Sequence, residues 1–160
     1  MRFEHLVQIN DPLQPLLTEV SREQLWRGLL RRAEQPTEFV LGLAGATIEQ
    51  RIDEPGRTQL VRTLDFGSFR VRDRVVLTAD GVSVTHIEAT AAYPASRLTI
   101  RIEAPATGSL FLRFTYEADE GAAGDQPDSM TRQLREQAYR SADIDTVWRI
   151  RELVERGELG

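Results

Sequence analysis

Apolar positions along this chain recur every second residue through most of its length and at helical spacing in two stretches, and each change of period marks an element. Arg2 to Asn10 alternates, placing Phe3, His5, Val7 and Ile9 on one face and Arg2, Glu4, Leu6 and Gln8 on the other, which predicts a strand ended by Asp11-Pro12. Helical spacing then takes over at Leu25, Trp26, Leu29, Leu30 and Ala33. Ser21 stands three residues before Gln24, the spacing of a capping box, so the helix is predicted over Ser21 to Glu34 and stops before Pro36. Gly28 inside it costs about 1 kcal/mol relative to alanine, which points to a close backbone approach. Phe39 to Gly45 reads as a short loop or a turn of helix.

From Ala46 the chain reads as a meander of antiparallel strands with turn chemistry at the corners. Asp53-Glu54-Pro55-Gly56 joins the first pair, Gly67-Ser68 suits a two-residue II′ turn, and Asp80-Gly81 suits a I′ turn. With those turns Leu64 faces Val71, Arg62 faces Asp73, Leu60 faces Val75, Val75 faces His86, and Asp73 faces Glu88. One sheet face then carries Leu60, Leu64, Phe66, Phe69, Val71, Val75, Leu77, Val82 and Val84, with Arg62, Asp73, His86 and Glu88 among them. The other carries Arg70, Arg72, Arg74, Thr78, Ser83 and Thr85. Leu98, Ile100 and Ile102 give a further strand, and Leu110 to Glu117 a last one, apolar in part on both faces. Glu120 to Pro127 is a polar loop.

The final stretch, Asp128 to Arg156, is long enough for a helix of roughly 40 Å at 1.5 Å per residue. Met130, Leu134, Ala138 and Ala142 line one side of it, whereas Ile144, Val147, Trp148, Ile150 and Val154 lie on a rotated face. That change of phase predicts a kink or short break near Ser141-Ala142-Asp143, with Asp143 as a cap for the second half. One short amphipathic helix cannot cover the apolar sheet face, so the long helix must lie across it. The pattern is that of a cavity-forming α+β chain.

Composition narrows the function classes. At 160 residues, 41% hydrophobic and 28% charged, the chain fits one domain spanning residues 1–160, and no apolar run approaches the ~20 residues of a membrane span. There is no cysteine and no signal-like N-terminus, from which a cytoplasmic location is expected. All 20 basic residues are arginine against 25 acids, a net charge of −5 that argues against nucleic acid as a partner. Without lysine, Schiff-base and P-loop chemistry are excluded. Two histidines and no cysteine leave no metal site in prospect. No nucleophile elbow or glycine-rich phosphate loop occurs, so no cofactor is implied and no catalytic motif is recognised.

The informative polar set is Arg62, Asp73, His86 and Glu88 on an otherwise apolar sheet face. These residues read three ways: a structural cross-strand ion network, a polar anchor for a ligand, or the acid and base of an enzyme. Two carboxylates sharing one guanidinium would raise the pKa of one of them. Phe66 on the same face, and Trp26 from the first helix, are candidate cavity walls, with plain core as the alternative for Trp26 and for Trp148. Tyr116 and Tyr139 are candidate hydroxyl donors. The stripe Arg70, Arg72 and Arg74 reads as a solvated face.

The stretches Phe3-Glu4-His5-Leu6-Val7-Gln8-Ile9-Asn10, Arg22-Glu23-Gln24-Leu25-Trp26-Arg27-Gly28-Leu29 and Leu110-Phe111-Leu112-Arg113-Phe114-Thr115-Tyr116-Glu117 resemble the AtaL-like branch of the START-like, birch-pollen-allergen-like (SRPBCC) superfamily. The resemblance implies a helix-grip fold, a seven-stranded antiparallel sheet curved around the C-terminal helix, with the first helix between the first two strands. It also implies a cavity for a small hydrophobic molecule, lipid- or polyketide-like. Relatives in that superfamily include carriers and polyketide cyclases, so binding, a cyclase- or isomerase-type reaction, and a protein-interaction module all remain open, as does a homodimer.

Overall fold

The computed structural model describes residues 1–119 and 127–160, so the expected loop from Glu120 lies, Pro127 apart, outside the described residues. The chain runs β1 (Arg2–Asn10), α1 (Arg22–Glu34), a 3-10 turn (Pro36–Glu38), β2 (Gly45–Glu54), β3 (Arg57–Asp65), β4 (Arg70–Thr78), β5 (Val82–Ile87), β6 (Ser96–Glu103), β7 (Leu110–Ala118) and α2 (Ser129–Glu155). All seven strands join one antiparallel sheet in the order β1-β7-β6-β5-β4-β3-β2. The six later strands are thus a plain meander, and β1 closes onto β7. This is the helix-grip arrangement.

Local chemistry fixes the elements. At the start of α1 the Ser21 hydroxyl accepts from the Gln24 N–H at 3.0 Å, and the Gln24 side chain accepts from the Ser21 N–H at 2.9 Å, the reciprocal box its spacing predicts. Asn10 closes the β1–α1 connection by donating to the Val20 carbonyl at 2.7 Å and accepting from the Val20 N–H at 2.9 Å. Leu25, Leu29 and Ala33 of α1, Val147, Ile150 and Leu153 of α2, and Leu60, Val75, Ile100, Leu112 and Phe114 of the sheet form one buried cluster. The orientation of β7, open in the sequence, follows from its pairing. Leu112, Phe114 and Tyr116 stand opposite Val7, His5 and Phe3, all on the inner face.

The register between β3 and β4 is the expected one, with Arg62 opposite Asp73 and Leu64 opposite Val71. Gly67 has φ +89° and the Phe66 N–H donates to the Phe69 carbonyl at 2.9 Å, as the two-residue turn requires. The next hairpin differs. Gly81 has φ +94° but among the described residues no non-glycine, Asp80 included, has positive φ, so a I′ turn, which needs positive φ at both central residues, cannot form with Asp80. The connection takes three residues instead, Thr78 pairs with Val82, and β5 shifts by one, bringing His86 opposite Arg74 and Thr85 opposite Val75. Ser83 and Thr85 therefore face inward, while Val82, Val84 and His86 face outward, the reverse of the expectation.

A second correction concerns α2. It is continuous from Ser129 to Glu155, without the expected break, and Asp143 is a buried interior residue of it, not a cap. The stripe Met130, Leu134, Ala138 and Ala142 points away from the sheet: Met130 is 71% and Leu134 66% exposed. Trp148, at 58% exposed, is not part of the core and is covered in part by the Arg151 guanidinium. The inward stripe is Tyr139, Asp143, Thr146, Val147, Ile150 and Leu153, whose polar members hid it from a reading by hydrophobicity. Among the described residues no helix is long and apolar enough to cross a membrane.

Gly28 is where the helices touch, because a Cβ there would come within 2.8 Å of two Ile150 side-chain carbons, and Ile150 is itself fully buried. Gly28→Ala, which in an exposed helix gains about 1 kcal/mol, should here destabilise by about 1–3 kcal/mol. Urea unfolding of the single variants and of the double variant with Ile150→Ala measures the contact. A favourable coupling of about 1 kcal/mol or more is expected, and additive costs would show that the helices have room to spare.

Candidate functional site

The inner face of the sheet holds a buried ion pair where the sequence places it. Arg62 and Asp73, each 3% exposed, meet through two bonds, Nε to Oδ1 at 2.9 Å and Nη2 to Oδ2 at 2.7 Å. The remaining Arg62 nitrogen, Nη1, donates to the Ala33 carbonyl at 2.8 Å. That carbonyl belongs to the last turn of α1, where no intrahelical donor reaches it. Both charges are thereby compensated within the protein.

A second cluster joins three elements that no sequence motif links. Asp143 of α2 accepts a short hydrogen bond at Oδ1 from the Tyr116 hydroxyl of β7, and its Oδ2 meets His5 Nδ1 of β1 at 3.1 Å. Burial raises the Asp143 pKa to about 6 although Tyr116, His5 and Arg32 all favour the ionised form. Burial, and next the Asp143 charge, raises the Tyr116 pKa as well, so that hydroxyl stays protonated. The Tyr139 ring stacks on Tyr116 with centroids 3.9 Å apart and on Phe3 at 6.0 Å. Its own pKa is raised by burial. The His5 side chain is 19% exposed, so the chain of groups runs from the interior towards solvent.

Between these clusters lies a cavity of about 290 Å³, lined by Arg32, Arg62, Asp73, Tyr116 and Tyr139 with Pro36, Val40, Leu64, Ile87 and Leu98. Arg32 comes from α1, three residues after Leu29 on its inward stripe. The residue is half-buried, its Nε is enclosed with no hydrogen-bond partner among the described residues, and burial, helped by the Arg62 charge, lowers its pKa. Asp73 is saturated by Arg62, and Asp143 by Tyr116 and His5. Arg32 is left as an interior cation without an ion pair among the described residues.

Comparison with known proteins places this geometry. Residues 7–157 match the family described as AtaL: Acetylaranotin biosynthesis cluster protein L. The chain belongs to the AtaL family. No curated protein matches it. Among solved structures, the AtaL-family chain is similar to a START superfamily protein from Mycobacterium smegmatis, with TM-score 0.64, 12% identity and 95% and 98% of the two chains covered. It is similar to Ara h 8.0201 with TM-score 0.63 and 12% identity, covering 98% of each chain. The di-domain ARO/CYC StfQ from the steffimycin biosynthetic pathway gives TM-score 0.63 and 13% identity over 97% of this chain. This chain spans about half the length of that protein, 50%. At such identities the likeness is one of fold.

Of the residues singled out in the sequence, Arg62, Asp73, Tyr116 and Tyr139 share the cavity of the AtaL-family chain, and the other four do not line it. His86 and Glu88 lie along an outer depression, because of the β5 shift, and the expected three-strand ladder reduces to its Arg62–Asp73 rung. Phe66 stacks on Phe69 at the tip of the β3–β4 hairpin, centroids 5.0 Å apart. Trp26 packs against the core cluster. Arg32, Asp143 and His5 were not singled out. The available signal was a charge on each helix's buried stripe, Arg32 four residues after Gly28 and Asp143 four before Val147. Among the described residues no three potential metal ligands converge.

The raised Asp143 pKa has a definite sign. The folded protein holds this proton up to about pH 6, the unfolded chain only to the ordinary value near 3.8, so ionisation of Asp143 costs stability as pH rises between them. The full cost, on the order of 2–3 kcal/mol, is present above that window and absent below it. Asp143→Asn keeps an acceptor for Tyr116 and cannot ionise, so this loss should vanish from its unfolding free energy measured from pH 4 to 7.5. If variant and parent fall in parallel across that range, the carboxylate is not desolvated.

Proposed function

We propose that this AtaL-family protein binds a small, mostly apolar molecule between its sheet and α2, with an anionic or strongly polarised ligand oxygen directed at Arg32. The carrying observation is the half-buried Arg32 guanidinium, without an ion pair among the described residues, in a cavity where Arg62 is matched by Asp73 and Arg97 by Glu117. A cation without a partner in the interior costs free energy, which a ligand carboxylate or enolate offsets by a charge-assisted, bidentate bond. At about 290 Å³ the cavity is near the lower end of ligand pockets, ~300–1,000 Å³, and suits a one- or two-ring aromatic or a short acyl chain better than a two-chain lipid. The START-like and aromatase/cyclase proteins of the same fold support the reading. Naphthoate and medium-chain fatty acids should raise the melting temperature in a concentration-dependent way, reaching about 2.7 kcal/mol of stabilisation at a hundredfold excess over Kd. The matching alcohols should act far more weakly. Arg32→Met should abolish the shift while leaving the ligand-free protein as stable or more so. An unchanged acid response in Arg32→Met removes the anchor from the reading.

A second reading, an enzyme of the cyclase or isomerase type, is favoured by the Tyr116–Asp143–His5 chain. The Tyr116 proton points at Asp143, so its oxygen is free to accept a proton from an enolisable C–H while its own proton moves to Asp143. The products are an enolate beside Arg32 and a protonated Asp143, which His5 can relay to solvent. Deuterium exchange into 1-phenyl-1,3-butanedione reads this step. Catalysed exchange, reduced roughly 100-fold or more in Tyr116→Phe with binding retained, supports it. Exchange at the buffer rate leaves binding alone.

A further inference from the structure

The inner cavity makes no use of Arg72, Arg74 and His86, which meet on the opposite face of the sheet around a depression of about 440 Å³. We infer that this depression is a second binding site, for a small phosphate monoester carried on an apolar or planar group. Arg72 and Arg74 are two residues apart on β4 and so point to the same side, about 7 Å apart along the strand. Arg74 stands opposite Val61 on β3 and His86 on β5. After β5 the segment 88–95 returns to β6 and brings Glu88, Thr90 and Tyr93 to the same depression. That segment is internally braced. The Thr90 N–H donates to the Tyr93 carbonyl at 2.9 Å, and the Thr90 hydroxyl accepts from the Ala92 and Tyr93 N–H groups at 3.1 and 3.3 Å.

The electrostatics set these two arginines apart from their neighbours. Arg97 pairs with Glu117, Arg113 with Glu103 and Glu4, Arg57 with Glu54, and Arg70 loosely with Asp65. Arg72 and Arg74 form no ion pair among the described residues, not even with Glu88. His86 Nδ1 is buried and also lacks a partner. The site therefore presents two uncompensated guanidiniums, an imidazole and the Glu88 carboxylate, with the Asp73 carboxylate already held by Arg62, an excess of positive charge on a chain of net charge −5. A carboxylate is saturated by a single guanidinium fork. A phosphate monoester offers three terminal oxygens and up to two charges, which two forks at this spacing can share. Val61 and the Tyr93 ring give the attached group an apolar wall. The overall negative charge and Glu88 oppose a long polyanion.

Phenyl phosphate is the probe, titrated into the full chain by calorimetry and by amide NMR. Saturable binding is expected, with shifts centred on residues 72–74 and 86–93, and with phenol and inorganic phosphate each weaker by about tenfold or more. Arg72→Ala and Arg74→Ala should each weaken binding by about tenfold or more, whereas Arg70→Ala, the same charge change outside the depression, should leave it within about twofold. Naphthoate bound in the inner cavity should not compete, which separates this site from the one around Arg32. Absence of saturable binding, or an equal loss in Arg70→Ala, overturns the proposal. So does equal affinity for an RNA oligomer, which would mark general attraction of polyanions.

Discussion

The Arg62–Asp73 pair and its bond to the Ala33 carbonyl are what the interior depends on. Taking either partner away strands a buried charge, a loss of about 3–5 kcal/mol, so the pair is far less dispensable than a surface bridge. Its geometry acts in two directions. Arg62 clamps the last turn of α1 to β3, one strand in from the sheet's edge, and that turn carries Arg32 as the neighbour of Ala33. Asp73 is meanwhile consumed by two hydrogen bonds to Arg62, which leaves it unavailable to Arg32. The same contact therefore anchors the helix and leaves the interior cation it delivers open to a ligand.

Much of this frame is legible in the chain. The capping box at Ser21, the alternation of β1, the close approach at Gly28 and the Arg62–Asp73 rung each follow from a residue type whose physical demand has one solution. Strand pairing across Gly67-Ser68 is legible because glycine alone satisfies the first central position of that turn. What the chain conceals is polar chemistry on buried helix faces. Asp143 and Thr146 interrupt the inward stripe of α2, while Met130, Leu134, Ile144 and Trp148 give its outward side a competing apolar character. A hydrophobicity pattern then selects the wrong side. The inward side is affordable only because Tyr116 and His5, from strands distant in sequence, supply the hydrogen bonds that a buried carboxylate needs.

Asp143 and Arg32 are in turn two answers to one problem. Each is a charge carried inward by a helix otherwise packed on the sheet. Asp143 is held by two neutral or weakly basic hydrogen-bonding groups and answers burial by a raised pKa, so its charge state changes near neutral pH. Arg32 has no such recourse, because a guanidinium keeps its proton in any protein environment, and its charge must be met by something else. The carboxylate can adapt alone and the guanidinium cannot, which makes Arg32 the stronger pointer to a ligand.

One residue of turn length decides how these charges are shared between the faces. With a two-residue turn at Asp80-Gly81, His86 and Glu88 would join Asp73 on the inner face, giving two carboxylates to one paired arginine. The three-residue turn, set by Gly81 as the sole positive φ available there, turns β5 over. Ser83 and Thr85 then face the interior, where small hydroxyls add no charge to compete for Arg62. His86 moves beside Arg74, where an imidazole nitrogen adds a second kind of polar group to a cationic surface. Alternation along β4 completes the separation, with Asp73 inward between Arg72 and Arg74 outward. An inner cavity that leaves Arg32 open to a ligand, and an outer face with an unmatched cationic pair, are thus two sides of a single register.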